Sequence, residues 1–269
     1  MPVEPVAARP ANGRGLDDCS VRIRGVSKTY ETRSGTVEAI RSIDCDVSDG
    51  EFVAFVGPSG CGKSTLLHIV AGLVDASAGD VDVYGAPARP GRHDVGIMLQ
   101  RAVLLPWRSV LANVLMPAQI QHQDGAQART RALELLEMMG IEAFADKHVW
   151  ELSGGMRQRA SLAQALVTDP AILLMDEPFS AVDEFTRERL NVEVARMHAA
   201  RGRTTLFVTH NIQEAVFLAD RVVVMRPRPG EIEQIVPIDL PRPRTAETLD
   251  LERTPRLVTE IRRLIGKYV

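Results

Sequence analysis

The chain has 269 residues, 45% of them apolar, enough to bury one large core or two modest ones. Lys+Arg 32 against Asp+Glu 35 gives a net charge of −3, so there is no basic excess of the kind that non-specific nucleic-acid binding draws on. No apolar run approaches the ~18 residues of a membrane-spanning helix, and the three cysteines, Cys19, Cys45 and Cys61, form no CxxC pair, which fits a reducing cytoplasm.

The N-terminus, with Pro2, Pro5 and Pro10 and no basic-then-apolar signal, reads as a disordered leader over 1–19. From Val21 to about Tyr84, short β-branched runs alternate with turns, which predicts an antiparallel β layer around a central unit. Phe52–Val56 reads as a buried strand and Leu66–Gly72 as a packed helix. Between them lies Gly57-Pro58-Ser59-Gly60-Cys61-Gly62-Lys63-Ser64-Thr65. A strand, four residues between glycines, then Gly-Lys-Ser at a helix start is a loop whose N–H groups cradle an anion, helped by the positive end of the helix. Lys63 is expected on the β/γ-phosphates and the Ser64 hydroxyl on Mg²⁺. Cys61, inside this loop, reads as a small residue filling a tight turn.

Between about 101 and 151 the pattern turns helical, with Ala132, Leu135, Leu136 and Met139 at i, i+3, i+4, i+7 and Gly140 placed to end the helix. Leu152-Ser153-Gly154-Gly155-Met156-Arg157-Gln158-Arg159 opens a further helix with Ser153 at the N-cap, a second helix start that an anion can approach closely. From Ala171 on, apolar strands alternate with helices, which predicts a mostly parallel sheet. The first strand, Ile172–Met175, ends in Asp176-Glu177, placing Asp176 beside a Mg²⁺ shell and Glu177 where it polarises a water. The Pro- and Arg-rich segments 226–230 and 240–244 predict little regular structure, and Leu257, Ile261, Leu264 and Ile265 share one face of a C-terminal helix.

The Leu-Ser-Gly-Gly-x-x-Gln-Arg segment resembles the signature of the ABC ATPases, and the resemblance extends over nearly all of 21–244. It implies an α/β fold, a P-loop NTPase (RecA-like) core with an antiparallel β subdomain and an inserted α-helical subdomain. The ATPase unit would span 20–245, with the helical subdomain about 101–165 and a helical tail over 246–269. Gln100, which alone would read as a surface residue, matches the family's Q-loop glutamine, implying contact with Mg²⁺ and the attacking water. Asp183, in Ser180-Ala181-Val182-Asp183, is similar to the D-loop, where Leu is more usual at Val182. His210 matches the switch histidine that senses the γ-phosphate, and Tyr30 the aromatic that stacks on adenine. The resemblance implies ATP with Mg²⁺ and a head-to-tail homodimer, because Ser153, Gly154, Gly155 and Gln158 of one subunit would close on nucleotide held by another.

Leu104-Leu105-Pro106-Trp107, after Gln100, is similar to nitrate, sulfonate and taurine importers. That implies a peripheral subunit on the cytoplasmic face of the inner membrane, partnered by permease subunits and a periplasmic or lipoprotein substrate-binding protein. Leu104, Leu105 and Trp107 are expected to form the permease-facing cleft. The alternative is a soluble ABC ATPase acting on nucleic acid or translation, which would carry a long coiled-coil insertion or two cassettes; neither is visible. An ATP-binding regulatory subunit with little turnover is a third reading, opposed by the presence of Glu177 and His210.

Overall fold

The computed structural model describes residues 19–33, 35–123 and 125–268. The expected leader therefore lies, apart from Cys19, outside the described residues. Two sheets share the work. The first has the order β2-β1-β4-β5 and is antiparallel, built from β1 (Cys19–Thr32), β2 (Gly35–Ser48), β4 (Ala78–Val83) and β5 (Ala86–Pro87). The second has the order β10-β9-β3-β8-β7-β6, comprising β3 (Phe52–Val56), β6 (Val95–Met98), β7 (Ile172–Asp176), β8 (Thr204–Val208), β9 (Arg221–Arg226) and β10 (Glu231–Pro237). All its neighbours run parallel except β10, which returns antiparallel on β9.

Strands buried on both faces read as continuous apolar runs, and this is why 52–56, 172–175 and 204–208 carry no polar alternation. Alternate residues serve opposite cores. Phe52, Ala54 and Val56 pack with the helical side, whereas Val53 and Phe55 pack with the antiparallel layer and α1 (Lys63–Val70). Phe207 meets Phe52 at 5.8 Å and Phe179 at 6.2 Å, centring the helical-side core. That core also takes α2 (Val110–Val114), α3 (Met116–Ile120), α4 (Ala126–Met138), α5 (Gly154–Leu166), α6 (Glu184–Arg201), α7 (Ile212–Leu218) and α8 (Arg253–Ile265).

The apolar period in α4 is as expected: Ala132, Leu135, Leu136 and Met139 are buried, and Gly140 ends the helix at φ +60°. Residues 101–109 are not helical; the helices begin at Val110, where Ser109 accepts from the Ala112 amide. In α8 the seam is Val258, Ile261 and Leu264, with Leu257 and Ile265 only flanking it. It lies on α7, β9 and β10, within the same core as the sheet. The interval between the two Pro-rich segments forms β10, an edge strand whose return is a turn at 227–230. Gly230 in that turn exchanges hydrogen bonds with Ala39 and Arg41, tying the antiparallel layer to the parallel sheet.

His198 of α6 is buried, edge-on to Phe52 at 5.3 Å and 3.9 Å from an Asp220 carboxylate oxygen that also accepts the Phe52 amide. Burial, then the Arg242 guanidinium, pull its pKa down to about 4. The unfolded chain therefore takes up a proton near pH 6.5 that the folded chain refuses, and stability falls as pH drops from 6.5 to 4, by up to about 3 kcal/mol. Thermal unfolding followed between pH 7.5 and 4.5 should show a steeper loss for the wild type than for His198→Leu. Equal slopes would remove His198 as the source.

Candidate functional site

In a parallel sheet the loops after the strand ends converge on one edge. Here β3, β8, β7 and β6 lie side by side, so the segments after Val56, Val208, Asp176 and Met98 form one continuous rim. The phosphate loop leaves β3 and enters α1 at Gly62, φ +87°, with no side-chain cap on the helix. An uncapped helix start leaves its amides for an anion. Gly57 is buried, Pro58 half-buried, Ser59 and Gly60 exposed, Cys61 buried, and Ser64 and Thr65 half-buried on the first helical turn. Lys63 folds back over the loop, donating to the Gly57 carbonyl at 2.8 Å and the Pro58 carbonyl at 3.1 Å. Its ammonium is thereby held at the loop, between the Gly57 and Pro58 carbonyls. The Cys61 thiol is fully buried; burial raises its pKa against the opposing pull of Lys63, which makes it a packing residue of low thiolate character.

Asp176 ends β7 with 1% exposure and accepts a 2.9 Å hydrogen bond from the Ser64 hydroxyl. Burial raises its pKa, while the Ser64 bond and His68, 3.9 Å away, hold it down. A hydroxyl and a carboxylate this close are hard oxygen donors of the kind that suit Mg²⁺. Glu177 follows with φ +46°, a left-handed backbone that costs a non-glycine residue about 1–3 kcal/mol. Its amide donates to the Val208 carbonyl at 2.8 Å, which fixes the turn against β8. The turn aims the carboxylate along the rim: one Glu177 oxygen accepts from Gln100 Nε2 at 3.3 Å and lies 3.3 Å from His210 Nδ1.

The segments 153–158 and 180–183 adjoin this group through bonds to its backbone: the Ser180 amide donates to the Glu177 carbonyl at 3.2 Å. Ser153 caps α5, accepting from the Met156 amide at 3.2 Å, and both it and Gly154 are exposed. A Cβ on Gly155 would come 3.2 Å from the Ala181 carbonyl oxygen, so glycine lets the D-loop lie against the start of α5. Asp183 caps α6 through the Thr186 amide at 3.0 Å. Gln158 points inward: it is buried and donates to the Gln100 carbonyl of its own chain at 2.6 Å. Tyr30 is on β1, over a third exposed, with the Lys28 ammonium 5.1 Å from its ring.

Supporting residues escape a motif reading. Thr209 donates to buried Glu214 at 2.7 Å and accepts from the Asn211 amide at 3.0 Å, while Arg187 approaches Glu214 at 3.5 Å. These contacts fix the backbone on either side of His210. Burial raises the Glu214 pKa, opposed by the Thr209 bond and Arg187. The sequence signal was the Asn211–Glu214 helix start, where Asn211 caps α7 by accepting from the Gln213 and Glu214 amides.

Comparison with known proteins gives the family likeness of the chain. The family model described as ABC transporter matches residues 40–180. An uncharacterized ABC transporter ATP-binding protein of Methanocaldococcus jannaschii is 40% identical over 230 residues, 86% of each chain. The taurine import ATP-binding protein TauB of Rhizobium johnstonii is 40% identical over 231 residues, 86% of this chain and 88% of its own. A dimeric ATP-binding cassette structure in a post-hydrolysis state, bound to ADP and Pi, superposes with a TM-score of 0.75 at 31% identity, over 81% of this chain and 98% of that one.

Two loop glycines separate backbone strain from packing. At Gly60, φ +79°, an added Cβ meets open space; at Gly62, φ +87°, it would lie 2.2 Å from the Ile40 side chain and 2.9 Å from the Ala39 carbonyl oxygen. Gly60→Ala should cost about 1–2 kcal/mol of unfolding free energy, the strain alone. Gly62→Ala should cost clearly more in the same urea titration, and equal costs would contradict the close packing of the loop on β2.

Proposed function

The chain belongs to the ABC transporter family, whose ATPases couple ATP hydrolysis to transport, and we propose that it energises import of a small anionic solute such as nitrate, a sulfonate or taurine. The convergence of Gln100 and His210 on one Glu177 oxygen carries the hydrolytic reading. In this reading the amides of 57–65 and Lys63 hold the ATP phosphates. Ser64 and Asp176, with Gln100, would hold Mg²⁺, which when bound would offset phosphate charge. Glu177 accepts a proton from the attacking water, a role worth about 10²–10⁴ in rate. His210 and Gln100 restrict its carboxylate to one orientation, and Tyr30 offers its ring face to the adenine.

Ser153 and Gly154 are exposed at the start of α5, which favours their use by a second copy, and the structural neighbour is itself dimeric. We therefore propose a homodimer, the ATPase unit over 20–245 with its helical subdomain at 101–165, and 246–269 as a packed tail. Among the described residues no helix is long and apolar enough to cross a membrane. The reading places the protein peripherally on the cytoplasmic face of the inner membrane, against permease subunits and a separate substrate-binding protein. Taurine import, named for the Rhizobium relative, supports the solute class.

The stretch after Gln100 supports the permease contact with one change from expectation. Leu104 is buried in the helical core, so it anchors the stretch, while Val103 and Trp107 are 58% and 70% exposed. Leu105 is half-buried, its amide donating to Asn113 Oδ1 at 2.6 Å.

Glu177→Gln should retain ATP binding and lower hydrolysis by about 10² or more, read as phosphate release against nucleotide affinity. Turnover within threefold of wild type would remove Glu177 from the base role. Trp107→Ala should leave ATP hydrolysis by the isolated subunit unchanged and abolish uptake by the assembled transporter; full uptake would exclude Trp107 from the coupling surface.

A further inference from the structure

A cleft lies away from the phosphate loop, where α4 faces the end of α6 and the link between α5 and β7. It has a volume of about 1120 Å³. Three guanidiniums meet in its wall. Asp169, on the α5–β7 link, accepts from Arg131 of α4 at 2.7 Å and from Arg201 and Arg203 at the end of α6 and just beyond. Three cations thus share one carboxylate, and the remaining acid of the lining, Glu134, is exposed. Burial works against the Asp169 charge, but the Arg131 and Arg203 bonds hold its carboxyl at about 2, so it stays ionised and the count is fixed. Arg203 is 9% exposed, and Arg131 Nε is buried with no acceptor. Arg203 is the buried member of the three, with Arg131 a quarter and Arg201 half exposed, and a buried cation short of counter-charge is costly unless an anion completes it. The rest of the wall mixes polar side chains, Gln127, Thr130 and Thr168 among them, with apolar Leu135, Met138 and Met197.

We infer that this cleft binds a small organic anion, a carboxylate or phosphate head on the Arg131–Arg201–Arg203 cluster with a short apolar body against Met138 and Met197. Planar guanidiniums pair bidentately with both head groups, and the two methionines adapt to the body. The bound anion spans α4 and α6, joining the inserted helices to the sheet-bearing core. This site is independent of the importer reading, since it uses none of the nucleotide residues.

The test uses full-length protein saturated with ADP and Mg²⁺, so that the phosphate loop is filled, with ¹³C-methyl methionine labelling and titration of hexyl phosphate, hexanoate and inorganic phosphate. Hexyl phosphate or hexanoate should shift the Met138 and Met197 methyl signals saturably. Arg201→Glu, at a guanidinium about half exposed, should weaken binding about tenfold or more. Ala200→Trp, which fills the cleft from an exposed helix position, should abolish it. ATP hydrolysis should be unchanged in both variants, reporting an intact fold. Absence of saturable shifts, or unaltered affinity in both variants, would overturn the site; inorganic phosphate binding as tightly as hexyl phosphate would overturn the role of the apolar wall.

Discussion

A parallel sheet buried on both faces can present chemistry only at its strand ends, and the groups proposed for hydrolysis, Lys63, Gln100, Asp176, Glu177 and His210, obey that constraint. β3, Ile172–Met175 of β7 and Leu206–Val208 of β8 are apolar, because one set of side chains packs on the helices and the alternate set on the antiparallel layer. Polar residues of use must therefore wait until the chain emerges. The order β3-β8-β7-β6 then decides which loops are neighbours, although Lys63 and His210 are 210 − 63 = 147 positions apart in sequence. Lys63, His210, Asp176, Glu177 and Gln100 meet because of strand order. The large non-local content of the fold is the cost of that arrangement, since loop closure must precede reward.

Adjacent carboxylates occupy different environments within one turn. Asp176 is almost fully buried at the strand end and shares the Ser64 hydroxyl, a placement suited to holding a cation. Glu177, one residue later, is turned by its left-handed backbone toward the groups on the neighbouring strands. A strand continuing straight would alternate faces and send the second carboxylate away from the first. The strained turn keeps both on the same rim, and the Glu177 amide bond to Val208 holds it there.

What was legible in the sequence depended on how local its cause was. The phosphate loop is specified within nine residues by glycines and a helix start, and β3, β7 and β8 by uninterrupted apolar runs. β10 was hidden: Glu231, Glu233 and Gln234 give it the polar surface of an edge strand, and the Pro-rich turn before it reads as irregular. α6 drew no pattern because only Leu190, Asn191, Val194, Ala195 and His198 of its eighteen residues are buried, two of them polar. Leu104 and Trp107 look alike to a hydropathy reading, yet one is core and the other surface, a distinction set by how 101–109 wraps onto α2. Gln158 was read with the exposed signature residues, and its inward direction follows from helical phase against the Gln100 loop.

That inward direction has mechanical consequences on the proposed reading. Glu177 bonds the Gln100 side chain at 3.3 Å, and the Gln100 carbonyl accepts from Gln158 at 2.6 Å. The catalytic carboxylate is therefore two hydrogen bonds from α5, whose exposed N-terminus would meet the partner's nucleotide. The backbone of Gln100 runs directly into the stretch bearing Trp107. A shift of Gln100 as phosphate arrives or leaves would move both the signature helix and the proposed permease contact, with Gln158 setting their relative position. Substrate-side and partner-side signals thus pass through one residue, and the short Gln158 bond is the element that makes their movements concerted rather than independent.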